Sequence, residues 1–184
     1  NRPNLEVRAR AEFTPGAGKA PASNRATADP KTSVGDLLKW PVPVGEIGLD
    51  VDTYATPVVG RASDVRVVVT AEIAHGARPV TALGYQVVDD AGKSVADRFE
   101  APPTLRPAGD GRSVYGISLP LAPGRYQVRL GVLNRDGKRG SVSHAFDVPR
   151  WPSTGVRVSD LMFGEASADA FRPIARVVPN AGRL

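Results

Sequence analysis

The sequence contains no cysteine, only two histidines and only 11 aromatic residues in 184 positions. Without Cys there is no disulfide framework, thiolate zinc, iron–sulfur cluster or thiol nucleophile. No apolar run approaches the roughly 18 residues that a membrane-spanning helix requires. His75 and His144 lie far apart, and no HxH, HExxH or GxSxG pattern accompanies them. A histidine-based metal centre or a Ser-His-Asp relay therefore lacks its partners. Asp50 and Asp52 share one face of a strand, but no acidic loop supplies the six to eight oxygens that calcium takes, so they read as a solvent-facing pair. Gly16-Ala17-Gly18-Lys19-Ala20 resembles the end of a phosphate loop and fails twice: Phe13 stands where the first Gly belongs, and Ala20 where Ser or Thr does. The chain reads as non-enzymatic, with no cofactor and no metal.

What is abundant points to strands and turns. There are 24 Val against 12 Leu and 4 Ile, with 17 Pro and 19 Gly to punctuate them. β-Branched residues favour the pleated, half-buried surface of a sheet. A chain of this length buries roughly two-thirds of its unfolded surface, enough to dispense with disulfide staples. The formal charge of +5 is unevenly spread. Residues 1–40 hold 7 basic and 4 acidic residues, residues 41–150 hold 13 and 12, and residues 151–184 hold 4 and 3. The centre is nearly neutral, and in the N-terminal arm Arg8 and Arg10 alternate with Glu6 and Glu12. That pattern is a solvated strand face and not the clustered cation patch of a nucleic-acid binder.

Periodicity divides the chain into three. The N-terminal arm, 1–45, contains an alternating strand over 5–13, a Pro/Gly/Ala/Ser linker and a short helix over 31–40 that Pro41 and Pro43 stop. It begins at Asn1 without Met, which reads as a piece of a longer protein. Residues 46–149 alternate apolar and polar in strand after strand. Hairpins are expected at Asp90-Ala91-Gly92-Lys93 and Asp136-Gly137, with a Pro-rich loop over 102–107. Seven strands in about one hundred residues match an all-β, immunoglobulin-like or fibronectin III-like sandwich. The C-terminal extension, 150–184, is expected to carry one further strand over 156–163 and is otherwise aperiodic.

The most informative short stretch is Leu121-Ala122-Pro123-Gly124-Arg125-Tyr126. Pro123 presets φ for a turn, Gly124 allows the next conformation, and Tyr126 opens the sixth of the seven strands. A Tyr there in immunoglobulin-like domains bonds back to upstream backbone and pins the corner. Trp40 and Trp151 flank the sandwich. Exposed together on one face they would favour a carbohydrate-binding module, which presents aromatic platforms to sugar rings. Otherwise they pack the two ends.

Arg2-Pro3-Asn4-Leu5-Glu6-Val7-Arg8-Ala9-Arg10 resembles the RPGLxVRARxGYF ending of the A-related region in bacterial von Willebrand factor A-related proteins. It departs at Asn4 and at Ala11-Glu12-Phe13. Trp40-Pro41-Val42-Pro43, Leu119–Arg129, Arg139-Gly140-Ser141-Val142 before Asp147-Val148-Pro149, and Val156–Leu161 are similar to segments downstream of that region in the family. The resemblance implies an exported, extracellular or periplasmic protein whose metal-binding A-type domain carries DxSxS. That motif does not occur here, so this chain corresponds to the β-sandwich after it. It implies a non-catalytic accessory domain or spacer whose partner is another protein or an adjacent domain.

Overall fold

The computed structural model describes residues 29–58, 65–152, 154–162, 164–167 and 170–173. The expected strand over 5–13 lies outside them. The first element is helix α1, Pro30–Lys39. Asp29 is its N-cap, accepting from the Thr32 amide at 3.1 Å, and Pro30 opens the first turn, where its missing N–H costs nothing. The helix ends as expected before Pro41. Ten strands come after it among the described residues: β1 Gly48–Pro57, β2 Val65–Ala74, β3 Val80–Asp89, β4 Ser94–Glu100, β5 Arg106–Gly109, β6 Arg112–Leu121, β7 Gly124–Asn134, β8 Arg139–Val148, β9 Gly164–Ser167 and β10 Ala170–Pro173.

Eight of these strands form a sandwich of two four-stranded antiparallel sheets, ordered β1-β2-β6-β5 and β4-β3-β7-β8. Lettered A, B, C, C′, D, E, F and G in chain order, they give ABED facing C′CFG, which is the immunoglobulin-like arrangement. The expected all-β sandwich is the observed fold, with one strand more than the seven anticipated. The addition is β5, in a stretch read as Pro-rich loop. Pro107 and Gly109 argue against a strand, and β5 exists only as a four-residue edge that shifts register between those two residues.

Alternation sorts the side chains. Val65, Val67, Val69, Ala71 and Ile73 of β2 meet Leu83, Tyr85 and Val87 of β3 and Val128, Leu130 and Val132 of β7 in one buried cluster. Helix α1 lies on the outer face of the second sheet, where Gly84 and Gly131 pair across β3 and β7. A Cβ on Gly84 would stand 2.7 Å from Val34 Cγ1, and one on Gly131 would stand 3.2 Å from Leu37 Cβ. The glycine pair thus forms a depression that receives the helix's two buried residues, Val34 and Leu37.

The flanks guard two sheet edges. Before β1, Ile47 N–H donates to Arg139 C=O (3.0 Å) and Ser141 N–H to Val44 C=O (2.8 Å), extending the ladder beyond β8. At the far edge, Ala55 N–H donates to Asp160 Oδ2 at 2.7 Å and Asp160 N–H to Ala55 C=O at 3.1 Å. The strand expected over 156–163 is corrected over 156–162, position 163 lying outside the described residues. Residues 156–162 join no ladder, because Asp160 meets β1 with its carboxylate and a single amide, and no second residue continues the pairing. The first C-terminal ladder is instead the β9–β10 hairpin, in a region that shows no period.

Candidate interaction surfaces

At the β6–β7 turn the Tyr126 hydroxyl donates to Ala122 C=O at 2.9 Å. Its half-buried ring stacks on Phe146, with centroids 5.8 Å apart at 24°. Pro123 lies within the loop so closed. Gly124 is not in the left-handed region. A Cβ on Gly124 would sit 3.5 Å from Tyr126 Cε2, in contact with the edge of the ring. Burial of the ring pushes the phenol pKa upward, and Asp89 and Asp90 add to the shift.

The two tryptophans separate. Trp151 is half-buried and packs against the inter-sheet core, so it serves the fold. Trp40, just past α1, is 65% exposed, and Val42 beside it is 62% exposed. In the C-terminal flank Val156, Val158 and Leu161 are exposed by 88%, 74% and 74%. Among the described residues, Val95 on edge strand β4 is the remaining exposed large hydrophobic. Scattered apolar exposure needs no explanation, but concentration in two flanking segments does.

Two cavities indent the outer face of the β7–β8 pair. One, of about 260 Å³, runs under Trp40 and is lined by Leu38, Lys39, Pro41, Pro43, Arg129 and Ser143 among others. The second, of about 420 Å³, lies toward the Tyr126 corner with Asp89, Asp90, Arg125 and Asp147. Gln127 and Arg129 line both.

The titratable groups serve the sandwich. His75 Nε2 lies 2.9 Å from Ser113 Oγ, but Ser113 is only 8% exposed, which closes its hydroxyl to a substrate. His144 Nε2 stands 3.4 Å from Thr53 Oγ1 and ties β8 to β1. Asp50 and Asp52 share the outer face opposite Glu72 and Thr70, and Glu72 is ion-paired with Arg112. Asp52 is half-buried and not freely solvated. Desolvation pushes its carboxyl pKa above the ordinary value, His144 opposes the shift, and Asp50 adds to it.

Glu100 bridges the sheets where β4 leaves for β5. Its Oε1 accepts from Tyr115 OH (3.1 Å) and pairs with Arg98 Nε (3.0 Å), while Oε2 accepts from the Thr104 amide (3.2 Å). Burial, with the bond to Glu100 behind it, drives the Tyr115 phenol pKa upward. Sequence reasoning missed Glu100, Arg129, Asp160 and the glycine pair. Each owes its role to elements that meet only in the fold, and only Gly84 and Gly131, interrupting otherwise apolar strands, carried a visible signal.

No protein-family model and no curated protein matches the chain. Among solved structures it is similar to the ApaA protein from Bordetella pertussis at 16% identity and a TM-score of 0.41, covering 57% of this chain and 95% of that one. It is also similar to the X-ray structure of a Northeast Structural Genomics Consortium target at 17% identity and a TM-score of 0.39, covering 56% of this chain and 86% of that one.

Proposed function

We propose that this chain is a non-catalytic β-sandwich accessory domain of an exported von Willebrand factor A-related protein, engaging a partner protein or an adjacent domain through its flanks. The observation that carries the reading is the distribution of exposed apolar side chains. Trp40 and Val42 precede the sandwich and Val156, Val158 and Leu161 come after it, while the sandwich encloses its own Val-rich faces. Segments that leave such side chains in water are suited to be covered by another protein. The buried hydroxyl of Ser113 and the hydrogen bonds that hold His75 to Ser113 and His144 to Thr53 favour a binding role over catalysis. The carbohydrate-binding alternative retains Trp40 but loses Trp151, which the core occupies.

Hydrogen–deuterium exchange tests this on the chain alone and on the chain joined to an A-type domain. Protection confined to 40–47 and 154–162 is expected in the joined form. Unchanged exchange there, or retardation of the isolated chain in polysaccharide-containing gels, would overturn the reading.

A further inference from the structure

We infer that the cavity beneath Trp40 is a receptor for a carboxylate, presented by an acidic residue in an extended, otherwise apolar segment of a partner protein. The inference rests on the interaction reading above and names the chemistry of its partner.

Arg129 points outward from β7, and its position is set by chemistry within its own strand. Arg129 Nε donates to Gln127 Oε1 at 3.0 Å, two residues away on the same face. That bond fixes the plane of the guanidinium. Its two terminal amino groups have no partner among the described residues. A guanidinium held by one edge offers the remaining N–H groups as a planar fork, which matches the two oxygens of a carboxylate. Arg129 is half-buried in the cavity floor, so the fork is partly desolvated and stronger than on an open surface.

The rest of the lining agrees in sign. Lys39, in the last turn of α1, supplies a second cation at the rim, and no acidic side chain lines this cavity among the described residues. Ser143 adds an exposed hydroxyl. Leu38, Pro41, Pro43 and the open ring of Trp40 form an apolar wall beside the charge. The neighbouring cavity is opposite in character. Asp89, Asp90 and Asp147 outnumber Arg125 and Arg129 there, so an anion sliding past Arg129 meets a net negative charge. A carboxylate is therefore confined to the Trp40 end, flanked by apolar side chains that the wall can cover. The volume of about 260 Å³ holds one acidic side chain with a neighbour, not a folded domain.

The test uses the whole 184-residue chain and an acetylated, amidated pentapeptide, Pro-Leu-Glu-Leu-Pro, followed by tryptophan fluorescence and amide NMR shifts. The expected result is saturable binding that perturbs Trp40 and the β7–β8 amides and weakens as salt rises from 50 to 500 mM. Replacing the peptide's Glu by Gln should weaken binding at least tenfold. Arg129→Gln should do the same, Arg129→Lys should fall between, and Lys39→Gln should cost about threefold. Dispersed amide spectra establish that each variant is folded, and Lys39 lies in the exposed last turn of α1, outside the strands. The proposal is overturned if the Gln peptide binds as well as the Glu peptide, or if Arg129→Gln and Lys39→Gln both bind like the parent. It is also overturned if hexagalacturonate binds more tightly than the peptide, which would assign the cavity to an anionic sugar. Protection at 154–162 by an adjoining domain is read separately, so failure here leaves the flank reading distinguishable.

Discussion

The sandwich and its flanks are built from similar apolar residues that are put to opposite use. In β2, β3 and β7 the valines and leucines alternate inward and are nearly sealed from water, whereas Val156 and Val158 keep the same alternation and, with Leu161, remain exposed. The difference lies in neighbours. A period-2 pattern becomes a buried strand only when an edge is present to pair with and a face to pack against. Residues 156–162 touch β1 through the Asp160 clip. The N-terminal flank reaches β8 through Val44 and Ile47 and leaves Trp40 and Val42 outside. The flanks thus shield two sheet edges, a liability in any open sheet, while their own apolar side chains stay available to a partner.

Substitutions can break this comparison, beginning inside the sandwich. Leu130→Ala should cost about 3 kcal/mol in urea denaturation, because the buried side chain leaves a cavity between the sheets. Gly84→Ala should cost about 1–3 kcal/mol, since the added methyl meets Val34 at 2.7 Å. Exchange should then accelerate over 30–39 with the strand ladders retained. A global loss without local release of α1 would show that the helix is integral to the core. Tyr126→Phe should cost about 0.5–1 kcal/mol, the worth of one partly exposed hydrogen bond to Ala122.

The smallest effect is electrostatic. The Asp52 pKa is raised in the folded protein, so the folded state holds that proton more tightly than the unfolded chain does. The ionised carboxylate is then a cost, absent below the unfolded pKa and fully present above the folded one. Asp52→Asn should raise the denaturation midpoint slightly at pH 7 and leave it unchanged at pH 2.5. A lowered midpoint at pH 7 would mean that its attraction to His144 outweighs desolvation.

Local chemistry was legible where it acts within a few residues. Asp29 and Pro30 start the helix, Pro41 limits it, and Gly92 and Gly137 adopt the positive φ that their hairpins need, at 77° and 75°. Asn134 shows why the second turn is sharp: its Oδ1 accepts from the amides of both Asp136 and Lys138. The inward alternation of β2 and β7 gave the fold class. Illegible features depend on what the chain meets after folding. Pro107 hid β5 because proline is tolerated only on an edge, and edge position is a property of the sheet. Trp40 and Trp151 look alike in sequence, both beside prolines, yet one faces water and the other the core. Arg129 became part of a candidate site only when α1 folded back over β7.

The central claim is that the sandwich supplies the stability and the flanks the contact surface. It is tested most directly by one urea denaturation curve of a chain carrying Trp40→Ser, Val42→Ser, Val156→Ser, Val158→Ser and Leu161→Ser together. Exposed positions contribute little, so the unfolding free energy should stay within about 1 kcal/mol of the parent. A loss of about 3 kcal/mol, equal to that expected for Leu130→Ala alone, would place the flanks inside the cooperative core and contradict the account.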